Sequence, residues 1–343
     1  MDTEYSQNPK GVVMHTKKHI PTAGRLLAVA LTLALGMPMV ACSQEAQSSA
    51  VKEQTATDPA SIQAPSPTAE IDDVTSVSYL GPAGTYTEEA AKLFFGDNDE
   101  LLAQESVADA LALVEEGKAS YAVIPQENTI GGPVTDYIDA LLDAKGVHVV
   151  GEVVLPIRQT LMGIPGTNLS KVKTVYSHKQ GLAQSAAWLD KNLPDAERIE
   201  AASTAAAAQS VAEGKDESAV AIAAPGAAGL YDLEVLQENV SQSDTNTTRF
   251  YVISQKENEL EGYDRAVFVA NLDANELPDV LAEACDGDTE LVCVHDRPEK
   301  SALGTYRYVI ELVREEGFTD EEIGRLEGID QLTYLGKYGC IDG

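Results

Sequence analysis

The chain has 343 residues, 44% of them hydrophobic, and is therefore long enough for two or three domains with real cores. It carries 55 acidic and 24 basic residues, for a net charge of −31, which is consistent with an adaptation for solubility or habitat. Such a surface repels nucleic acid and anionic membranes, so a nucleic-acid-binding function is disfavoured.

The N-terminus, residues 1–41, has the pattern of an export signal. Basic residues precede an apolar run over residues 26–35, which is short for a membrane span but fits the apolar part of a signal peptide. The motif M-V-A-C, which ends at Cys42, resembles a bacterial lipobox, in which the cysteine is lipidated and the chain is cut before it. We therefore expect an extracytoplasmic protein that is lipid-anchored to the bacterial cell membrane through Cys42. An ordinary signal peptide with an incidental cysteine is the alternative.

Residues 42–75 are rich in Ser, Ala, Gln, Thr and Pro and contain few large apolar side chains. Such a segment cannot bury enough surface to offset the entropy lost on ordering. It is predicted to be a flexible tether between the lipid and the folded part of the chain.

From residue 76 to residue 255, short β-rich runs alternate with helical stretches. The predicted strands are Val77–Leu80, Tyr121–Pro125, Val149–Leu155, Thr174–Tyr176, Ala219–Ala223 and Phe250–Ile253. The predicted helices are Glu88–Phe95, Val107–Glu116, Val134–Asp143, Leu182–Leu193, Thr204–Ala212 and Gly226–Tyr231. This alternation predicts an α/β fold with mostly parallel sheets, and the length suits two small lobes.

Three of the strand–helix junctions carry hydroxyl side chains. The first turns on glycines and opens a helix with a capping box formed by Thr85 and Glu88. The other two follow Ser177 and Ser203. Free N–H groups at helix starts bind anions, and ligands bind at the carboxyl ends of strands in open α/β sheets. The junctions together predict an anion-binding cleft.

Residues 264–343 show a different order of elements. The segments, in chain order, are strand Ala266–Leu272, helix Leu277–Cys285, strands Leu291–His295 and Thr305–Val313, a short helix Asp320–Leu326 and strand Leu332–Tyr338. The order βαββαβ predicts an α+β unit of ferredoxin-like topology.

The cysteines after Cys42 are Cys285, Cys293 and Cys340. In an extracytoplasmic setting a disulfide among them is conceivable, but three cysteines leave one unpaired. Neither a C-x-x-C motif nor a Cys/His spacing indicates a metal site, and no metal is expected.

Six motifs, in this order, are similar to those of the prephenate dehydratase family. They are YLGPAGTYTEEAA (Tyr79–Ala91), VIPQENTIGGPV (Val123–Val134), LPIRQTLMG (Leu155–Gly163), VYSHKQGLAQS (Val175–Ser185), STAAAA (Ser203–Ala208) and NTTRF (Asn246–Phe250). The resemblance spans residues 76–254, and residues 264–343 resemble the ACT regulatory domain that follows in this family. Gln159 stands where the family commonly has His.

The resemblance implies a fold and a reaction. The fold would be a two-lobed α/β catalytic module resembling type 2 periplasmic binding proteins, followed by the α+β ACT domain. The reaction would be the decarboxylating dehydration of prephenate to phenylpyruvate in phenylalanine biosynthesis, by a carbon–oxygen lyase without a cofactor. Arogenate shares the reacting ring and is the alternative substrate. An extracytoplasmic solute-binding lipoprotein for a small carboxylate is the alternative function, because the same fold serves both classes.

The resemblance also implies roles for single residues. Thr248 would hydrogen-bond or protonate the leaving hydroxyl group, and Asn128, Ser177 and Gln184 would contact prephenate. The remaining candidate substrate-binding residues each have a structural alternative as an ion pair, a helix cap or a packed side chain: Arg249, Glu127, Phe250, Thr85, Ser203 and Thr204.

In the ACT-like part, the motifs that bind phenylalanine are altered. The expected glycine-containing turn reads N-E-L-P from Asn275 through Leu277 to Pro278, and the expected E-S-R-P segment reads H-D-R-P, which includes Asp296 and Arg297. Phenylalanine is therefore expected to be a weak effector at most. By resemblance the protein forms a homodimer or a homotetramer.

Overall fold

The computed structural model describes residues 64–71, 76–96, 100–243, 245–301 and 303–343. The predicted signal peptide and Cys42 lie outside these residues. Within the described ranges, no helix combines the length and the apolar character needed to cross a membrane.

The described chain alternates strands and helices. The strands are β1 Ser76–Leu80, β2 Glu100–Gln104, β3 Tyr121–Asn128, β4 Gly132–Pro133, β5 His148–Pro156, β6 Thr160–Gly163, β7 Thr174–Ser177, β8 Glu197–Glu200, β9 Ala219–Ala223, β10 Glu234–Gln237, β11 Thr247–Ser254, β12 Tyr263–Asp273, β13 Thr289–Pro298, β14 Thr305–Phe318, β15 Leu332–Tyr338 and β16 Cys340–Asp342. The helices are α1 Tyr86–Phe95, α2 Val107–Glu115, α3 Thr135–Asp143, α4 Lys179–Gln184, α5 Ala186–Asn192, α6 Thr204–Gly214, α7 Gly226–Leu230, α8 Leu277–Ala284 and α9 Asp320–Glu327.

Two α/β lobes form the first part of the fold. The sheet of the first lobe has the order β16-β5-β11-β3-β1-β2, with β4 beside β3, and the sheet of the second lobe has the order β10-β6-β9-β7-β8. Residues 157–159 and the described residues 238–243 and 245–246 connect the lobes, and a cleft lies between the lobes. The predicted α/β class is confirmed.

The sheets are mixed, and the prediction of mostly parallel sheets was wrong. Strand β1 pairs in parallel with β2 and β3, whereas β11 is antiparallel to both β3 and β5. The reason is that β11 returns from the second lobe into the centre of the first sheet and runs against its neighbours. Its residues from Phe250 to Ser254 are buried, which explains their nearly continuous apolar character.

The C-terminal unit is a four-stranded antiparallel sheet with α8 and α9, in the order β13-β14-β12-β15. This is the predicted ferredoxin-like topology. Its core includes Phe268, Ile310 and Leu312, all fully buried. The last strand, β16, leaves this unit and pairs in parallel with β5 of the first lobe. A strand from beyond the predicted boundary at residues 255–264 is therefore part of the first lobe's sheet, so this boundary does not separate the two sheets completely.

Residues 64–71 pack on the folded unit, although they belong to the predicted tether. The Glu70 carboxylate accepts hydrogen bonds from the backbone N–H groups of Glu259 and Leu260, both at 2.9 Å. Ile71 packs against the core of the first lobe. Through these contacts of Glu70 and Ile71, part of the range 42–75 that was predicted to be a flexible tether packs on the folded part of the chain.

The three described cysteines, Cys285, Cys293 and Cys340, are free thiols. They belong to α8's end, to β13 and to β16. The disulfide that the sequence left open is therefore not formed among these described cysteines.

Candidate functional site

A cavity of about 310 Å³ lies in the cleft between the lobes. Its wall comprises the end of β1, the starts of α1, α4 and α6, and one face of β11. These are carboxyl ends of strands and amino ends of helices, where α/β folds bind ligands. The volume lies at the lower end of the range of about 300–1,000 Å³ that is typical of small-molecule sites.

Thr248 and Asn128 lie side by side on the wall of this cavity. Strand β11 pairs Thr248 with Asn128 of β3, and Asn128 Nδ2 donates to Thr248 Oγ1 at 2.9 Å. The same amide nitrogen lies 2.8 Å from Asn246 Oδ1. Asn128 Oδ1 accepts from the N–H groups of Ile130 and Gly131, which fixes the orientation of its side chain. Thr248 is thus held as an acceptor, with its own hydroxyl proton left for another partner.

The chain of amides continues into the second lobe. Gln184 Oε1 accepts from Asn246 Nδ2 at 3.1 Å and from Gln159 Nε2 at 3.0 Å. Gln159 lines the cavity and is only 3% exposed, yet its Oε1 has no hydrogen-bond partner. A buried acceptor without a partner is costly, so this atom is suited to receive a donor from a ligand.

The starts of α1 and α6 both line the cavity. Ser203 caps α6, because its Oγ accepts from the N–H of Ala206 at 3.0 Å. Thr85 begins α1 without a side-chain cap, and its hydroxyl donates to Leu80 O at 3.3 Å. The predicted capping box is wrong, since Glu88 accepts from the N–H of Gly84 instead. The N–H groups of the first turn of α1 therefore remain available to an anion in the cleft.

No Asp, Glu, Lys or Arg is found among the described residues that line the cavity. The donors that this lining offers to a carboxylate are helix N-termini, hydroxyl groups, amides and the ring of His178. Thr204 and Thr87 add hydroxyl groups beside the two helix starts.

Arg249 and Glu127 do not reach this cavity, contrary to the prediction that they contact substrate. Successive side chains of a strand point to opposite faces, so Thr248 and Phe250 face the cleft and Arg249 faces away from it. Arg249 binds the Glu152 carboxylate through Nε at 2.6 Å and Nη2 at 2.7 Å. Glu127 lies on the same far face, 3.8 Å from Arg249 Nη1.

Ser177 also differs from its predicted role. It is fully buried, and its Oγ donates to the carbonyl oxygen of Ile222 at 2.7 Å. The side chain lies beneath Gly181, where an added Cβ would meet the Ser177 Oγ atom at 2.4 Å. Ser177 therefore supports the start of α4 from below, whereas Phe250, 1% exposed, forms an apolar part of the cavity wall.

The predicted effector residues have different surroundings. Asn275 and Asp296 are exposed, and Leu277 packs against the core of the C-terminal unit. Arg297 forms a two-point ion pair with Asp139 of α3, with Nε–Oδ1 at 2.6 Å and Nη2–Oδ2 at 2.7 Å. This guanidinium is thus bound to the first lobe.

Two polar residues of the site were quoted in sequence motifs without a role. Asn246 opens the NTTRF motif, and Gln159 was seen only as a departure from the family pattern. Both residues lie in segments that connect the two lobes and therefore border the cleft. A polar side chain at such a position is a signal that could have identified each of them from the sequence.

Comparisons with known proteins identify similar sequences and a similar solved structure. The family model described as "Prephenate dehydratase" matches residues 77–258. The chain is 37% identical over 252 residues to a prephenate dehydratase of Corynebacterium glutamicum, covering 70% of this chain and 79% of that one. It is 36% identical over 250 residues to a bifunctional chorismate mutase/prephenate dehydratase of Aquifex aeolicus, covering 72% and 67%. The solved prephenate dehydratase of Arthrobacter aurescens, in complex with L-Phe, has a TM-score of 0.69 at 28% identity, covering 77% of this chain and 90% of that one.

Proposed function

This chain belongs to the prephenate dehydratase family, and from that premise we propose that its interlobe cleft is the site at which prephenate loses carbon dioxide and water to form phenylpyruvate. The enzyme is then a carbon–oxygen lyase. The observation that supports this proposal most strongly is the hydrogen-bonded pair of Thr248 and Asn128 on the wall of a cavity that the starts of α1 and α6 also line.

The chemistry of the substrate matches what this cavity offers. Prephenate carries two carboxylates and a ring hydroxyl group. When the bond from the ring to its carboxylate breaks, the electron pair enters the ring and the hydroxyl group leaves, so that an aromatic ring forms. Aromatisation drives the step, and the enzyme adds orientation and support for the departing hydroxide.

Thr248 is proposed as the donor to the leaving hydroxyl group. A threonine hydroxyl is a weak acid, so its contribution to catalysis depends on its placement beside the leaving group. Because Asn128 donates to Thr248 Oγ1, the threonine proton is directed elsewhere, and the cleft is where a substrate oxygen would accept it. Asn128 and Gln184 add amide groups to the same wall.

The two carboxylates of the substrate are assigned to the helix starts. The N-terminus of α1, at Thr85, and that of α6, at Ser203 and Thr204, each offer backbone N–H groups and the positive end of a helix dipole. A separate anion position at each end of the cavity suits a dianion.

Further parts of the proposal concern regulation, assembly and location. We assign the C-terminal α+β unit as an ACT-like domain that responds weakly to phenylalanine and supports a homodimer or homotetramer. The solved relative bound to L-Phe supports phenylalanine as the effector class. The lipobox-like motif at Cys42 supports an extracytoplasmic, lipid-anchored enzyme.

Turnover of the purified chain with prephenate and with arogenate tests the proposal. We expect phenylpyruvate from prephenate, and a lower kcat/KM for arogenate, because its ammonium group finds no carboxylate among the described cavity residues. Tight binding of a small carboxylate without any turnover would favour the solute-binding alternative instead.

A further inference from the structure

A buried ion-pair network joins the cleft strand β11 to the C-terminal unit. Arg249, 17% exposed, binds Glu152 of β5 and also the Glu311 carboxylate of β14. The two glutamate side chains are 1% and 0% exposed. Glu311 is the inter-unit member of this network, because it extends from the C-terminal sheet to a residue of the first lobe.

Glu311 is fully committed to partners in both units. It accepts from Arg265 Nη1 at 3.0 Å, within its own sheet. From the first lobe it accepts from the Tyr251 hydroxyl at 3.0 Å and from Gln126 Nε2 at 3.1 Å, besides Arg249. Burial raises the pKa of Glu311, but the guanidinium groups of Arg249 and Arg265 outweigh it and hold the pKa below its usual value. The carboxylate is therefore ionised and fixed.

The local geometry of β3 and β11 brings this network next to the reacting group. The pairing of the two strands shifts in register between Arg249 and Phe250. The shift leaves Gln126 as an extra residue of β3, and its side chain turns toward Glu311. Thr248, one residue before Arg249, stays opposite Asn128 on the cleft face. On the opposite face of β11, the neighbouring Arg249 has three carboxylates around its guanidinium, those of Glu127, Glu152 and Glu311.

We infer that Arg249 is a positioning residue, through which Glu311 of the C-terminal unit sets the place of the Thr248 hydroxyl relative to Asn128. The C-terminal unit thus contributes the Glu311 carboxylate to the ion-pair network behind the cleft strand β11. This inference rests on the proposed function. It differs from a direct role of Arg249 with substrate, because the guanidinium lies on the face of the sheet away from the cleft and is occupied there by carboxylates.

The test uses the full-length chain and the variant Arg249→Lys, which keeps the charge and loses the planar fork. Misplacement of a reacting group by about 1 Å costs about 10²-fold in rate, so kcat should fall by about 10- to 10²-fold. KM should stay within about threefold, because the cavity wall is unchanged.

A double variant separates positioning from a general loss of structure. If Arg249 acts through Thr248, Arg249→Lys in the Thr248→Val background should lower kcat by less than about threefold further. The matched control is Arg314→Lys, because Arg314 is also 17% exposed and pairs with Glu322 at 2.6 Å inside the C-terminal unit. This control should keep kcat within about threefold of the wild type.

Three results would overturn the inference: an unchanged kcat in Arg249→Lys, an undiminished further loss in the double variant, or an equal loss in Arg314→Lys.

If Arg249→Lys does not fold, Tyr251→Phe takes its place, since it removes one hydrogen-bond donor to Glu311 and leaves every charged side chain in place. It should lower kcat several-fold alone and have no further effect with Thr248→Val. A wild-type chain that forms no phenylpyruvate would refute the proposed function itself, before any variant is compared.

Discussion

Replacement of Thr248 by valine removes one hydroxyl group from the candidate active site and almost nothing else. Valine has nearly the same shape and is favoured in strands. Asn128 Nδ2 loses its 2.9 Å bond to Thr248 but keeps Asn246 Oδ1 at 2.8 Å and the Thr247 carbonyl oxygen at 3.1 Å. No buried donor is left without an acceptor, so the free energy of unfolding should change by about 1 kcal/mol or less.

The effect on catalysis should be much larger than the effect on stability. Loss of one placed donor to a developing negative charge typically lowers kcat by about 10²–10³-fold, or about 2.7–4 kcal/mol of activation free energy. We expect a loss of this size in phenylpyruvate formation by Thr248→Val, measured as kcat and KM beside a thermal melt of each protein.

The matched control is the same substitution one residue earlier. Thr247 lies on the opposite side of the connecting segments, on the wall of a separate cavity of about 520 Å³. Thr247→Val should keep kcat within about threefold of the wild type, because its hydroxyl does not face the cleft. Full activity in Thr248→Val, or an equal loss in Thr247→Val, would refute the assigned role of Thr248.

Three further predictions concern anchoring, regulation and pH. Cys42→Ser should release the protein from the membrane or block its processing, and intact-mass analysis showing an unmodified Cys42 in the native protein would contradict the lipid anchor. Micromolar phenylalanine should inhibit prephenate turnover weakly or not at all, because Glu276 and Pro278 replace a turn whose glycine allows close backbone approach; strong inhibition would contradict this. Burial lowers the pKa of His295 in the folded chain, so that as the pH falls this imidazole is protonated in the unfolded chain before it is protonated in the folded chain. Stability should therefore fall as the pH drops through about 6.5, and His295→Gln should reduce that fall between about pH 7.5 and 5.5 in thermal melts; an equal fall in both proteins would contradict it.

Part of the architecture follows directly from local sequence. The run Ala219–Ala223 is apolar throughout, and the structure makes it a strand with the same bounds and no exposed residue. Helix α2 and strand β15 also have nearly the predicted bounds, because periodic burial leaves a pattern in the sequence. Strands β8 and β10 were missed, since they are short, polar edge strands that bury little and leave no such pattern.

Helix boundaries at the site show a similar limit. The predicted helix Leu182–Leu193 is two helices, α4 and α5, which meet at Ser185. The first begins three residues earlier than predicted, at Lys179, and this earlier start places Gly181 on the cavity wall. Ends of short helices depend on contacts outside the helix, so their sequences do not fix them.

The sequence by itself determined the family motifs, the α/β and α+β order of elements, and part of the site, namely Thr248, Asn128 and Gln184. Alternation along a strand also places Thr248 and Arg249 on opposite faces, but it does not tell which face borders the cleft. Only the tertiary structure decided that Arg249 meets Glu311, 62 residues further along the chain, and that β16 returns to the first lobe. The physical reason is that the sequence pattern of a strand indicates which of its faces is buried. Which segment covers that face depends on packing between parts of the chain that are distant in sequence.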